Sequence, residues 1–409
     1  MVNLQLLNKF NFFALIISYF FFSYLKIFYI IPYHIFFLSI GIIINLNKIN
    51  YVINFLDKRM FLFFLILFII IFKSYIYYPS ETLINYFIDN IIINLAIIFY
   101  IISFVRTEKD IFFFEKTIIF ISSVSMIVAI FQFLNFDLAW KLREFIDTSA
   151  NNDEIVKTQI SERKRPGGLA YYSITYSYQM LIIASLFFAN YFLNNKKKNI
   201  IYMMFGSFGL IASLTRSSIS GFIFATLFFY FFKYLNFRKF LSYSLLLLIF
   251  ILIFMSQSTR DFLSQEDFNR YYLFLSGLNV FWDYFFTGVG GRVINDLTAE
   301  YAINFGMNLS VINLSIHNSI LSQLIRHGFL MFIPIIYLYY IFFSNLKLLK
   351  YENLRLYVFF YIYIISYTFH SFFHNAGIFN GDQLFWIIFS YLFAVRNVYK
   401  INNYKKKNN

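Results

Sequence analysis

MFLFFLILFIIIF, residues 60–72, is an unbroken apolar run closed off by Asp57, Lys58 and Arg59 on one side and Lys73 on the other. Apolarity on every face of a helix, ended sharply by charge, suits a hydrocarbon surrounding. A bilayer core of about 30 Å is crossed by roughly 20 mostly apolar helical residues. Similar runs, separated by charged or Asn-rich loops, recur through the 409 residues and predict about twelve membrane-crossing helices. Composition agrees, with 60% hydrophobic and 13% charged residues, where soluble domains carry about a quarter charged. The expected fold class is therefore an all-α polytopic membrane protein, one transmembrane domain over 1–409. Most of the 61 Phe and 34 Tyr are read as lipid-facing filler. The stretch after Lys9 reads as a retained first helix, with no small-residue cleavage site behind it.

The net charge of +14 would suggest nucleic acid in a soluble chain; in a membrane chain it is first a matter of cytoplasmic loops. With the N-terminus inside, the inner segments collect most of the 34 cations, including Lys196, Lys197 and Lys198 and the terminal NNYKKKNN, a tail suited to anionic lipid. The short outer connections hold only Lys26, Lys73 and Arg216. Two long segments, 136–167 and 257–327, fall on the outer (periplasmic) face, and function is expected there. Cysteine is absent, which removes disulfides, thiolate metal sites and a cysteine nucleophile.

Four outer cations invite an anion: Arg165 before Pro166 and Gly167, Arg216, Arg270, and Arg292 after Gly290 and Gly291. Arg216 stands in SLTRSSISG (213–221), where a guanidinium, serine hydroxyls and the N–H groups of a helix start converge on a phosphate-sized space. The plainer reading has Arg216 reaching lipid headgroups and Ser217 capping the helix. GVGG (288–291) taken alone is a flexible turn before it is a phosphate cradle. His317 and Asn318, in SIHNSILSQLIRHG (315–328), lie at the outer interface, where an imidazole can titrate near neutral pH; His327 is the competing histidine. His370 and His374, four residues apart, have the spacing of a metal pair but lack a third ligand pattern. Asp89, inside a predicted span, is expected to face the bundle, paired or hydrogen-bonded.

These residues occur in a familiar order. RPGGL (165–169), TRSSISG (215–221), Arg270 followed by WDYFFTGVGG (282–291), and His317-Asn318 followed by Gly328 resemble the bacterial O-antigen ligase and O-antigen polymerase family over roughly residues 160–335. The resemblance implies a GT-C-like, polyprenol-dependent glycosyltransferase of the bacterial inner membrane. Such an enzyme moves a glycan from undecaprenyl diphosphate to a sugar hydroxyl, with neither nucleotide sugar nor obligatory metal or other cofactor. It implies Arg216 and Arg270 on the diphosphate, Arg165 on the same anion or the adjacent glycan with Arg292 beside them, and His317 with Asn318 at the acceptor hydroxyl. Arg suits that work because it stays charged and grips oxygens in pairs. The implied partners are the lipid-linked glycan, an acceptor glycolipid, membrane lipid, and flippase and chain-length regulator proteins. The favoured acceptor is another lipid-linked repeat, which makes a polymerase; lipid A core, which makes a ligase, is the alternative. An oligosaccharide flippase is the alternative of another class, and it would line a central cavity with its charges.

Overall fold

Asp57 ends the loop before the run at 60–72: its carboxylate accepts the backbone N–H of Arg59 at 3.0 Å and caps a helix that continues to Tyr77. The chain repeats this device. Ser80 caps the next helix, Thr107 and Asp110 form a reciprocal capping box, and Asn353 caps a fourth. Each satisfies N–H groups that a helix start leaves without an intrahelical acceptor. In the computed structural model the described residues are 4–22, 26–27, 31–148, 160, 163, 165–170, 173–194, 196–234, 265–290, 294–303, 316–374, 377–379 and 382–408.

Among them the helices are α1 (Leu4–Phe21), α2 (Tyr33–Asn45), α3 (Ile49–Phe55), α4 (Lys58–Tyr77), α5 (Glu81–Phe87), α6 (Asn94–Phe104), α7 (Glu108–Phe133) and α8 (Asp137–Thr148). There follow α9 (Ser173–Leu193), α10 (Lys197–Ala212), α11 (Arg216–Tyr234), α12 (Gln265–Asp283), α13 (Ile294–Ile303), α14 (Ser319–His327), α15 (Phe332–Glu352), α16 (Leu354–Ser371) and α17 (Gln383–Asn408). A π-helical turn, Ile88–Ile93, joins α5 to α6, and a two-residue ribbon pairs Lys26–Ile27 with Ile31–Pro32.

Eight of the described segments are long and apolar enough to cross a membrane, and Arg216–Phe231 is a shorter apolar one. The protein is thus an all-helical, multi-pass membrane protein. Of the twelve expected spans, the one at 240–256 lies outside the described residues. Two others, α10 and α16, are too short or too polar to count among the eight. α9 and α17 are the most enclosed spans, with α16 and α6 against them, while α2 and α3 sit at the periphery. Between apolar helices in lipid, close packing and interhelical hydrogen bonds replace the hydrophobic drive. One such tie is a charged one: Arg355 of α16 pairs with Glu115 of α7 at 2.5 Å, and the Tyr391 hydroxyl donates to the same carboxylate at 3.1 Å.

Asp89 departs from expectation. It stands in the π-helical turn and is exposed on the bundle surface, while Asn90 beside it is buried and donates to the Tyr86 carbonyl. The extra residue of a π turn rotates the helix face, so a position that helical periodicity assigns inward comes out.

Candidate functional site

Among the described helices, α11 and α16 share the most extensive contact. Gly221 is the reason, since a Cβ there would stand 2.9 Å from the Ser366 carbonyl oxygen. One turn from this contact, toward the start of α11 and the end of α16, Ser217 meets His370. The Ser217 hydroxyl lies 2.9 Å from His370 Nδ1 and 2.9 Å from His374 Nε2, and His370 Nε2 lies 2.9 Å from the Ser177 hydroxyl of α9. The His370 and His374 rings are 4.5 Å apart, and the His317 ring is 6.2 Å from His374. The end of α16 and the connection before α14 thus bring three imidazoles together, with serines of α9 and α11, at one end of the bundle, here termed the site end.

A tight turn over 213–215 leads into α11. Leu214 takes a φ of 51°, the Thr215 N–H donates to the Ser213 hydroxyl at 3.2 Å, and Arg216 opens α11 with its side chain exposed. Ser217 does not cap the helix. Its hydroxyl is held between two imidazoles one turn from the Gly221 contact. The four-residue spacing of His370 and His374 likewise serves serines: three of their four ring nitrogens are hydrogen-bonded to Ser177 or Ser217.

His317 is half-buried and Asn318 is buried. The Asn318 side-chain oxygen accepts the Leu321 N–H at 2.9 Å and caps α14, so this atom is engaged in the fold and only the amide nitrogen remains for a ligand. His327 closes α14 and is fully buried, with Nδ1 2.9 Å from the Ser74 hydroxyl. Burial, reinforced by the charges of Arg326 and Lys73, pushes its imidazole well below the usual histidine range. It therefore stays neutral and walled off from a sugar hydroxyl.

The RPGG turn has a built seat. Gln132, at the end of α7, accepts the N–H groups of both Gly167 and Gly168 at 3.0 Å, and its amide donates to the carbonyls of Ala139 and Gly168. Arg143 of α8 is buried under the turn and donates from Nη1 to the Arg165 carbonyl at 2.8 Å. Gly168 takes a φ of 57°, with the Ser125 carbonyl 2.5 Å from where a Cβ would be. Arg165 itself is half-buried on this turn, just before α9 and hence at the site end with Ser177.

The described part of the GVGG turn, Gly288 to Gly290, does not form a phosphate cradle. Its donors are used within the fold: Gly288 N–H goes to the Tyr284 carbonyl, Val289 N–H to Ile325 and Gly290 N–H to Arg326. Lys73, another outer cation of the sequence reading, donates to the carbonyls of Phe286 and His327 at 2.6 and 3.1 Å and fastens this turn to α4. Arg270 is placed on α12, its side chain outside the described atoms, and Arg292 lies outside the described residues.

Sequence reasoning passed over Ser217 as a bridge, Gln132, Arg143 and Asp382. Asp382 is half-buried just before α17; its carboxylate accepts the Tyr367 hydroxyl at 2.5 Å and the Leu384 N–H at 3.1 Å. Burial pushes its carboxyl up to about 6, against the pull of those donors. The one local signal was the His370/His374 spacing, which was noticed and read for metal rather than for serine.

Residues 201–336 match the O-antigen ligase family. The resemblance read from residues 160–335 is borne out over this segment, about a third of the chain. No curated protein matches the chain. The O-antigen ligase segment carries Arg216, Ser217, His317, Asn318 and His327, along with the positions of Arg270 and Arg292. Arg165, Ser177, His370 and His374 lie outside it. The hydrogen-bonded cluster therefore ties the matched segment to α9 and α16 of the same chain.

Proposed function

We propose that this chain is a membrane-embedded, polyprenol-dependent glycosyltransferase with GT-C-like architecture and about twelve spans, its site on the outer face of the bacterial inner membrane. It takes a glycan from undecaprenyl diphosphate and joins it to a sugar hydroxyl of a second lipid-linked repeat. The observation that carries this reading is the meeting of the Arg216–Ser217 helix start with the His317/His374/His370 cluster. An exposed guanidinium suited to a diphosphate lies beside imidazoles suited to a hydroxyl.

In the step, the acceptor oxygen bonds to the anomeric carbon while the bond from that carbon to the diphosphate oxygen breaks. The leaving diphosphate takes the bonding pair, and its charge is met by Arg216 and Arg270, with Arg165 and Arg292 on the same anion or the adjoining glycan. The hydroxyl proton passes to His317, which is half-exposed and can return it to water. The apolar surfaces between helices hold the polyprenyl tail, and a flippase and a chain-length regulator are the proposed neighbours.

The family description favours a second reading, transfer to lipid A core by a ligase. Deletion of the gene separates the two. A polymerase mutant accumulates single lipid-linked repeats, which is the result expected; long unattached lipid-linked chains would establish the ligase instead.

A further inference from the structure

The serine–histidine cluster at the site end has a fixed direction, and the proton count supplies it. Ser177 has one hydroxyl proton, and it goes to the Ile174 carbonyl at 2.6 Å. His370 Nε2, 2.9 Å from that hydroxyl, must therefore be the donor and carry hydrogen. In the neutral ring Nδ1 is then a lone-pair acceptor, so the hydroxyl of Ser217 donates to it. With its one proton committed, Ser217 can only accept from His374, which fixes hydrogen on His374 Nε2 and a lone pair on His374 Nδ1. The chain ends on a backbone carbonyl, which cannot take up a proton. It is built to orient, not to conduct.

What it orients is the ring beside His317. His374 is buried, hydrogen-bonded to Ser217 of α11 and packed on the His370 ring of α16; His317 is half-buried on the connection before α14. The two rings stand 6.2 Å apart at 45°, so a shift of about an ångström at His317 is what a ring-to-ring hydrogen bond requires.

We propose that His374 is a positioning residue for the transfer: its Nδ1 lone pair accepts a ring N–H of His317, which holds His317 in the tautomer whose other nitrogen faces the acceptor hydroxyl. The inference rests on His317 acting as the base in the function proposed above. It also explains why the bridge is Ser217. The residue next to Arg216 sets the angle of the base, so the donor and acceptor sides of the reaction are registered by the first turn of one helix.

Two amides separate this role from a structural one. His374→Gln places its amide where Nε2 was, keeping a donor to Ser217 and losing the acceptor toward His317. His374→Asn places its amide near Nδ1 and keeps that acceptor. In purified, reconstituted protein, His374→Gln should retain the parent's thermal stability and donor KM while kcat falls roughly ten- to hundredfold, the effect of a lost hydrogen bond to a charged partner. The acid limb of its kcat–pH profile should move to lower pH by about one unit, because the imidazolium of His317 loses a stabilising acceptor. His374→Asn should stay within severalfold of the parent. Parental kcat and profile in both variants would overturn the inference, as would equal loss in both with lowered thermal stability. His317→Gln distinguishes the underlying reading. If it is inactive while His374→Gln is parental, only the positioning role fails; if His317→Gln is fully active, the base assignment fails and this inference with it.

Discussion

Arg216 is the residue on which charge and geometry coincide. It opens α11 with its side chain exposed, beside a serine held by two histidines. A lysine there keeps the charge and loses the planar pair of donors, and one such contact to a developing diphosphate is worth on the order of 2 to 4 kcal/mol in a transition state. Arg216→Lys should therefore lower polymer formation roughly tenfold or more at normal protein levels, read by glycan laddering from membranes. Undiminished laddering would remove the bidentate role. This residue was legible from its surroundings in the sequence, a cation at a tight turn before serines. Its neighbour was not, because Ser217 finds its partners 153 and 157 residues away. His327 shows the converse: a histidine visible in the sequence whose burial against Ser74 only the packing reveals.

Among the elements, the seat of the RPGG turn carries the clearest prediction. Gly168 has a left-handed backbone and the Ser125 carbonyl against the place of a Cβ, so Gly168→Ala meets both backbone strain and a clash with main chain. A cost on the order of 1 to 3 kcal/mol follows. It should appear as a lower melting temperature in detergent and lower activity, while Gly206→Ala, facing side-chain and helix atoms at 3.0 Å and beyond, should be milder. An unchanged melting temperature for Gly168→Ala would contradict the seat as described. The helices themselves were readable from apolar runs, and their errors are instructive. α7 starts at Glu108, ahead of the apolar run that marks it in the sequence, because its charged first turn is capped and Glu115 pairs with Arg355, 240 residues on. The amphipathic α8 inside the expected outer loop was hidden for a similar reason. Its charges Asp137, Lys141 and Glu144 mark a solvated face, whereas Arg143 is turned under the RPGG turn.

At the scale of the whole molecule, the expected orientation rests on where the cations lie. Because the chain has no cysteine, single cysteines report it directly. Glu144→Cys on α8 and Glu300→Cys on α13, both exposed, should react with an impermeant maleimide in intact spheroplasts, and Lys197→Cys at the start of α10 only after permeabilisation. The reverse pattern would invert the topology and put the site on the wrong face for a lipid-linked donor.

The most direct measurement is reconstitution of the purified protein with undecaprenyl-diphosphate-linked repeats as donor and acceptor. The account predicts glycolipids of two or more repeats with one undecaprenyl diphosphate released for each bond formed. It also predicts that His317→Gln, which cannot act as a base near neutral pH, turns over at under about 1% of the parent. Single-repeat lipids left unchanged by the parent, with no diphosphate released, would contradict it.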